Sequence, residues 1–299
     1  MIGSARLSAQ EWLRLARPFS LTAAAVPVLV GSALAQHFHP LPFVAMLLAS
    51  MLIQAATNMF NEYYDAVRGL DQPGSIGISG SIVEGRVAPR VVLGAALTCY
   101  TIAALLSLYL VWEGGILVLT LGLLSALLGY IYNGGPRPIA YTAWGEFTVF
   151  WAMGPLIVLL SEVLQNHRPE AQAILIGLPI GCLVAAILLA NNLRDLDKDR
   201  QGGRQTLAIR MGRAAANQLF RGLLWGSYLL VILLVLLKEA PWTSLLVVLS
   251  LPLSLRLHRL VAQGQDPRFL NQAVRGTAQL HLRFGLLLVV GLLLGRLIG

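Results

Sequence analysis

Long apolar stretches constrain this chain more than any other feature of its sequence. Nine stretches of 17 to 22 mostly apolar residues follow one another, separated by short polar or Gly- and Pro-containing segments. A helix that crosses the hydrocarbon core of a bilayer needs about 20 such residues. The stretches are Ser20–Gln36, Leu41–Phe60, Val91–Trp112, Gly115–Tyr132, Ala143–Leu164, Gln172–Ala190, Leu219–Leu237, Trp242–Leu260 and Leu280–Leu297. Because unpaired backbone groups are too costly in lipid, we predict an all-α polytopic membrane protein with nine transmembrane helices.

The composition supports a chain that is solvated mainly by lipid. Of the 299 residues, 57% are hydrophobic and 12% are charged, and the mean hydropathy is +0.71. A soluble domain carries about 25% charged residues. Both cysteines, Cys99 and Cys182, lie inside apolar stretches without metal-ligand spacing, so we predict that they are buried and inert.

The distribution of positive charge predicts the orientation. With nine spans, Arg168, Lys238 and Arg296 fall on one side of the membrane, and the other 19 of the 22 Lys and Arg residues fall with the N-terminus. Cytoplasmic loops are enriched in Lys and Arg. We therefore predict a cell inner or plasma membrane protein whose N-terminus and even-numbered loops are cytoplasmic. This asymmetry explains the net charge of +8 without a nucleic-acid partner.

Two acidic clusters follow corresponding spans. One lies at 58–71, after the second span, and the other at 191–200, after the sixth; together they hold six of the 14 Asp and Glu residues. Asn61 and Asp65 are four residues apart, as are Asp195 and Asp199, so each pair shares one face of a continuing helix. Carboxylates on one face repel each other unless a cation lies between them.

The donor atoms of these clusters are those that Mg²⁺ prefers. Mg²⁺ binds through a few carboxylates, keeps several waters and takes further oxygens from substrate phosphates. The alternative is a pair of solvated charged loops, but two clusters at matching positions favour a site for Mg²⁺ and a diphosphate. The predicted metal ligands are Asn61, Asp65, Asp71, Asp195 and Asp199.

Basic residues lie in loops on the same predicted face. Arg86, Arg137 and Arg204 each stand close to glycine, where the backbone can approach a phosphate and a guanidinium group can bind its oxygens. Lys198 lies between two Asp residues, where it either binds phosphate or balances charge. We predict that these four residues bind the diphosphate; the alternative for each arginine is an orienting positive charge.

The clusters resemble those of a known family. Asn61-Glu-Tyr-Tyr-Asp65 with Asp71, and Asn192-Leu-Arg-Asp195-Leu-Asp-Lys-Asp199 followed by Gly203-Arg204-Gln-Thr206, are similar to the motifs of UbiA-type membrane aromatic prenyltransferases. Within them, the chain most resembles the branch that uses 1,4-dihydroxy-2-naphthoate in menaquinone biosynthesis. The family's first motif usually has Asp where this chain has Glu62, and relatives often have Lys at the position of Arg137.

The resemblance implies a fold and a reaction. It implies that residues 1–299 form a single domain of nine helices around a central cavity, with a lateral opening to lipid and one Asp motif in each half. It also implies that an allylic prenyl diphosphate loses diphosphate and alkylates the aromatic ring. In the naphthoate branch the attacked carbon also loses CO₂, which gives demethylmenaquinol.

Five residues are predicted to take part in catalysis: Asp65, Asp195, Glu62, Tyr64 and Tyr132. Tyr64 or Tyr132 could offer a π face to the allylic cation, although interfacial aromatic anchoring explains them equally well. Glu62 could steer the hydroxyl groups of the acceptor or act as a base.

Three other functions are weighed against this one. A sister prenyltransferase would use 4-hydroxybenzoate, homogentisate or haem as the acceptor. A phosphoalcohol transferase would need one continuous Asp-rich block, whereas this chain divides its carboxylates between two distant loops. A transporter with an internal repeat would place charge near the middle of the bilayer, whereas here the charge lies at span ends.

Overall fold

The computed structural model describes residues 8–74, 76, 80–263 and 266–298, and the ends of the predicted 1–299 domain lie outside them. The described residues are helical and contain no strand, so the prediction of an all-α fold is confirmed. The α-helices are α1 (Ala9–Ala16), α2 (Pro18–Ala33), α3 (Pro40–Val67), α4 (Pro89–Asn133), α5 (Gly145–Trp151), α6 (Ile157–Asn166), α7 (Ala171–Arg194), α8 (Leu196–Gln201), α9 (Leu207–Met211), α10 (Arg213–Leu236), α11 (Leu251–Gln263) and α12 (Pro267–Ile298). Shorter 3-10 segments cover Ile139–Tyr141 and Trp242–Ser250.

Proline and serine set several helix starts. Proline opens α2, α3 and α4, where its fixed φ suits a helix and its missing N–H would have had no partner in the helix. Ser8 caps α1, since its hydroxyl accepts a hydrogen bond from the Glu11 amide. Arg17 separates α1 from α2 with a left-handed φ of 50°, and the two helices meet at a bend of 57°.

The structure contains seven described helices that are long and apolar enough to cross a membrane, or eight if α1 and α2 together form one span. An integral membrane protein is therefore confirmed. The predicted count of nine spans is not confirmed. The count of seven or eight treats α4 as one helix of 45 residues.

Helix α4 turns back on itself at Gly115. This residue has a φ of 67° and a ψ of −155° inside an otherwise helical segment. The Tyr100 hydroxyl donates a hydrogen bond to the Ala126 carbonyl at 3.3 Å. In one straight helix these residues would lie about 39 Å apart, at 1.5 Å per residue. The two halves of α4 therefore lie side by side and antiparallel.

Glycines allow close packing between α7 and the segment that joins α5 to α6. Ala152–Leu156 forms a π-helical turn that contains Pro155. Such a turn tolerates the backbone hydrogen bond that is lost because proline has no N–H. A Cβ atom on Gly154 would lie 2.6 Å from the Gly181 backbone, and one on Gly177 would lie 2.5 Å from Pro155 Cα. Only glycine permits this approach, which brings the middle of α7 against the π turn.

Helix α7 is the centre of the bundle. In its most apolar stretch of 18 residues, 72% of the residues are buried, against 17% in the corresponding stretch of α4. Its buried side chains pack in one core with those of α2, α10 and α12. The outer surface carries exposed apolar side chains such as Trp112, Leu236 and Leu297, as a lipid-facing surface requires.

Candidate active site

Two Asp-containing segments that are far apart in the sequence meet at one end of the bundle. Asp65 lies in the last turn of α3, Asp195 follows the last residue of α7, and Asp199 lies in α8. Arg204 joins the two segments: its Nη2 donates to Asp65 Oδ1 at 2.5 Å, and its Nη1 lies 3.2 Å from Asp199 Oδ1. One guanidinium group is therefore shared by a carboxylate from each motif.

Asp65 has the most partners. Besides Arg204, it accepts hydrogen bonds from the Tyr141 hydroxyl at 2.9 Å and from Asn61 Nδ2 at 3.2 Å. Its relative exposure is only 6%. The Asn61 amide is itself held by Asn133, at 3.3 Å. These contacts orient the Asp65 carboxylate from three sides before any ligand binds.

A second ion pair joins the same two segments. Lys198 Nζ lies 2.6 Å from Asp71 Oδ1, and Asp71 is 7% exposed. Burial raises the pKa of Asp71 above its ordinary value, the ammonium group of Lys198 opposes this rise, and the nearby carboxylates of Asp65 and Glu62 add to it. The site therefore concentrates negative charge at a place that water barely reaches.

Asp199 shows the same effect more strongly. Burial raises its pKa to about 6; the charge of Arg204 opposes the shift, and the carboxylates of Asp195 and Asp65 increase it. Burial lowers the pKa of Arg204, but Asp65 and Asp199 outweigh it and hold that pKa above its usual range. These groups are short of positive charge even with Arg204 between them.

Asp195 is paired separately from Asp65 and Asp199. Arg194 binds it through two contacts, Nε to Oδ1 at 2.9 Å and Nη2 to Oδ2 at 2.6 Å. Arg194 also donates to Asn191 and to Asn271, at 2.7 and 3.0 Å. The Asp195 carboxylate is thus tied to α12 through Arg194.

In the part of the chain that the structure describes, no group of three or more Asp, Glu, His or Cys side chains stands ready to hold a metal. The donor set nevertheless fits Mg²⁺, because it consists of buried carboxylates with an amide nearby. Asp65 and Asp199 share a single cation, Arg204, and a divalent metal ion would supply the positive charge that these carboxylates lack.

A cavity of about 490 Å³ opens beside these residues. Its polar end includes Arg17, Asn61, Asn192 and Arg204. The rest of its wall is mostly apolar or small, apart from Gln54 and a few other polar side chains, and follows α3 back to Met46, about 22 Å from Asn61 at 1.5 Å per helical residue. The shape suits a ligand with a charged head and a long apolar tail.

The structure separates the two predicted tyrosines. Tyr132 lines the cavity. Tyr64 is not among the lining residues described, and its ring lies under the Arg68 guanidinium, 4.9 Å from the centroid. Glu62, 1% exposed, lies 3.6 Å from Arg17 and accepts a hydrogen bond from the Ile82 amide. Among the described residues, Arg17 lines the cavity and its partner Glu62 does not.

The predicted phosphate-binding arginines have different surroundings. Arg204 lines the cavity. Arg86 is paired with Glu84 and lies 3.0 Å from Glu11 of α1, so two carboxylates already neutralise it. Arg137 is exposed and has no carboxylate partner within the described residues.

Arg68 and Tyr141, for which the sequence predicted no role, support Asp65. Arg68 donates to the Tyr141 hydroxyl and to the carbonyl groups of Asn133 and Gly135, at 3.0 to 3.1 Å. The Tyr141 ring contacts two guanidinium groups, 5.1 Å from its centroid for Arg68 and 4.4 Å for Arg204. Tyr141 ends the Tyr132–Tyr141 segment before an apolar stretch, where the family resemblance extends to it without giving it a role.

A third missed residue is Glu146, a carboxylate within the bundle. Its exposure is 4%, and its Oε1 accepts a hydrogen bond from Asn192 Nδ2 at 2.8 Å. The other oxygen, Oε2, is buried and accepts no hydrogen bond from any residue in the described ranges. An ionisable residue at this depth is costly, and Glu146 lies directly behind an amide that lines the cavity.

The chain matches the UbiA prenyltransferase family over residues 24–295. It is 42% identical over 285 residues to the 1,4-dihydroxy-2-naphthoate octaprenyltransferase of Bacillus subtilis, with 94% of this chain and 91% of that one covered. To the Escherichia coli protein of the same name it is 33% identical, with 96% of both chains covered.

Solved structures share the fold. The apo structure of a UbiA homolog from Aeropyrum pernix superposes with a TM-score of 0.70 at 15% identity and covers 92% of this chain and 98% of that one. A UbiA homolog from Archaeoglobus fulgidus, bound to DMAPP and Mg²⁺, gives 0.63 at 17% identity, with 94% and 99% covered. These likenesses concern the fold alone.

Proposed function

The chain belongs to the UbiA prenyltransferase family, and we propose that it transfers a polyprenyl group from a prenyl diphosphate to 1,4-dihydroxy-2-naphthoate. Diphosphate and CO₂ are released, and demethylmenaquinol is formed. The acceptor is carried over from relatives that are 42% and 33% identical along nearly the whole chain. The observation that carries the chemistry is the meeting of Asp65 and Asp199 at Arg204, at the polar end of an apolar cavity.

The metal proposal concerns Mg²⁺ and its ligands. Asn61, Asp65, Asp71, Asp195 and Asp199 would hold the ion, directly or through water. When bound, Mg²⁺ supplies positive charge to the diphosphate oxygens and so favours departure of this group. Support comes from the donor set, because three of these carboxylates are less than 10% exposed and two of them share one guanidinium group.

Basic residues would take up the leaving diphosphate. Arg204 is the best-supported donor, because it lies in the cavity wall and keeps its charge at any physiological pH. Lys198 would follow, by exchanging Asp71 for a phosphate oxygen. Arg137 is exposed and free to approach, whereas Arg86 would first have to leave Glu11 and Glu84. Fixed positive charge at the leaving group lowers the barrier to C–O cleavage.

The allylic cation needs an electron-rich face and protection from water. Tyr132 is the better placed of the two predicted tyrosines, because it lines the cavity. Tyr64 is engaged with Arg68 and would act only after moving. Glu62 would act on the acceptor through Arg17, to which it is paired. The apolar wall beyond Tyr132 excludes water from the reacting carbon.

We further propose nine membrane spans in one domain. The antiparallel halves of α4 would count as two spans, and α1 with α2 as one. The N-terminus and the Asp motifs would lie on the cytoplasmic side. Most Lys and Arg residues would fall in the loops of that side, as is usual for cytoplasmic loops. Nothing in this orientation depends on the identity of the acceptor.

An acceptor screen tests the function. Purified protein is incubated with Mg²⁺, geranyl or longer prenyl diphosphates, and either 1,4-dihydroxy-2-naphthoate, 4-hydroxybenzoate or homogentisate, and the products are identified by mass spectrometry. We expect prenylated, decarboxylated product from the naphthoate alone. Product from another acceptor would identify a sister prenyltransferase, and no product from any donor and acceptor pair would favour a transporter.

Paired variants test the metal ligands. We expect Asp65→Ala and Asp199→Ala to lose at least about a hundredfold in kcat/KM, as removal of transition-state charge stabilisation does. Asp197→Ala is the matched control, since its side chain is 72% exposed and pairs with Arg213. Equal activity of Asp65→Ala and the control would refute the ligand assignment.

A further inference from the structure

The C-terminal third of the chain carries positive charge that has few acidic partners. Residues 207–298 contain ten Lys and Arg residues but only Glu239 and Asp266 as acids. Of these ten cations, Arg213 alone is in an ion pair within the described residues. Asp266 is in no ion pair within the described residues, and its Oδ1 accepts a hydrogen bond from the backbone amide of Arg268.

Helices α10 and α11 form an antiparallel seam in this region. Asn217 Nδ2 donates to the Val261 carbonyl at 3.3 Å, and the Trp225 ring contacts the His258 ring edge-on at 5.5 Å. Arg221 is four residues after Asn217 and four before Trp225. Residues at this spacing share one face of a helix, so Arg221 lies along the seam, opposite α11.

Two polar atoms in the seam have no hydrogen-bond partner among the residues that the structure describes. They are Arg221 Nε and His258 Nε2, and both are buried. The two side chains are close enough to interact electrostatically. Buried donors of this kind are nearly always satisfied by protein, water or ligand, and a cationic one within a membrane bundle indicates an anionic ligand.

The seam opens at the end of the bundle that carries the Asp motifs. Helix α10 begins at Arg213, whose guanidinium donates to Asp197 and to the Leu193 carbonyl. Arg221 lies eight residues further, about 12 Å along the helix axis. Trp225, four residues beyond Arg221, is 41% exposed.

The surface around the seam faces lipid. Leu229 on α10 and Leu255 on α11 are 61% and 42% exposed. A ligand there meets apolar side chains on one side and cationic groups on the other. A phospholipid has both parts, and its phosphate matches a guanidinium group. Basic pockets between transmembrane helices bind anionic head groups in this way.

We propose that the seam between α10 and α11 binds the phosphate group of an anionic phospholipid, with Arg221 and His258 as its hydrogen-bond donors. Trp225 packs beside the glycerol backbone, and Leu229 and Leu255 contact the acyl chains. The site is independent of prenyl transfer and rests only on the membrane-embedded fold. Its occupancy ties α10 to α11 at the end of the bundle that carries the reaction site.

Lipid binding to the intact chain tests this proposal. Purified protein is titrated with phosphatidylglycerol or phosphatidylcholine, bound lipid is counted by native mass spectrometry, and melting is followed in nanodiscs of each lipid. We expect the wild-type chain to bind phosphatidylglycerol more tightly. In Arg221→Gln this affinity falls about tenfold or more, as loss of a charged hydrogen bond predicts.

Arg259→Gln is the matched control. Arg259 is exposed on the same helix as His258, and its change to Gln removes the same charge. We expect the affinity for phosphatidylglycerol to fall less than about fivefold. Equal losses in both variants would show diffuse attraction and overturn the proposal. Displacement of the lipid by glycerol phosphate at equal concentration would show a site for free phosphate instead. If Arg221→Gln does not fold, unchanged phosphatidylglycerol affinity in folded His258→Gln overturns the proposal as well.

Discussion

At the scale of single residues, the site is a set of buried carboxylates with too few cations. Asp65 and Asp199 share Arg204, and Asp71 depends on Lys198. This arrangement keeps the two motifs together while leaving negative charge uncompensated. Burial disfavours the charged form of Asp199 and raises its pKa to about 6, and the charge of Arg204 opposes this rise only in part.

That pKa predicts how Mg²⁺ binding depends on pH. A ligating carboxylate must be deprotonated, so Mg²⁺ affinity should fall as the pH drops below about 6. The sign for folding is opposite. Because the folded-state pKa exceeds the ordinary value of 3.8, the contribution of protonated Asp199 to stability is complete below that value and is lost as the pH rises through about 6. Melting with and without Mg²⁺, followed from about pH 3.5 to 8, measures both effects, and Asp199→Asn should remove them.

Glu146 provides a second prediction at this scale. It holds the Asn192 amide through a 2.8 Å hydrogen bond, which leaves the Asn192 carbonyl oxygen for a ligand in the cavity. We expect Glu146→Ala to raise the KM for the aromatic acceptor about tenfold, with less change for the prenyl diphosphate, as loss of a charge-assisted hydrogen bond predicts. Glu146→Gln keeps an accepting oxygen and should stay within about threefold of wild type. Equal changes in both KM values would argue against a role in acceptor positioning.

At the scale of helices, the turn inside α4 decides the shape of one wall of the cavity. Its two halves contribute lining residues on both sides of Gly115, including Ser107 and Gly122. A continuous helix would extend about 67 Å, twice the thickness of the hydrocarbon core. The turn depends on backbone angles that only glycine adopts readily.

Gly115→Ala should therefore destabilise the chain by about 1–3 kcal/mol, the cost of a side chain in that region of backbone space. A Cβ atom there would meet nothing within 4 Å, so the effect would come from backbone strain and not from a clash. Gly94→Ala is the control, because Gly94 is helical and its Cβ would also meet open space. It should be neutral or slightly stabilising. Thermal unfolding in detergent compares the two variants, and similar melting temperatures would contradict this explanation.

At the scale of the whole molecule, the cavity joins a charged end to an apolar wall about 22 Å long. Small side chains from α3 and α4 keep this wall open, among them Ala49, Ala104 and Ser107. A long prenyl tail can use the full length, whereas a short one needs only the part near Asn61. The depth is therefore a property of several helices together.

Ser107→Phe should shorten the usable cavity. We expect kcat/KM for long prenyl diphosphates to fall about tenfold or more, as overpacking of 1–3 kcal/mol predicts, while geranyl diphosphate is used nearly as well as by the wild type. Leu105→Phe adds the same ring on the same helix at a side chain that is 62% exposed, and it should leave both donors unaffected. Equal loss with short and long donors in Ser107→Phe would contradict the inferred path of the tail.

The sequence alone determined the helical class and the two Asp motifs with their family. Lipid leaves the backbone no choice but helices, and each motif is a local pattern. Only the tertiary structure decided which groups meet. Asp195 and Asp199 are four residues apart, yet they pair with different arginines, Arg194 and Arg204, and only tertiary packing brings Arg204 to Asp65 as well. The partner of Asp65 lies 139 residues away, and no local pattern specifies a contact at that separation.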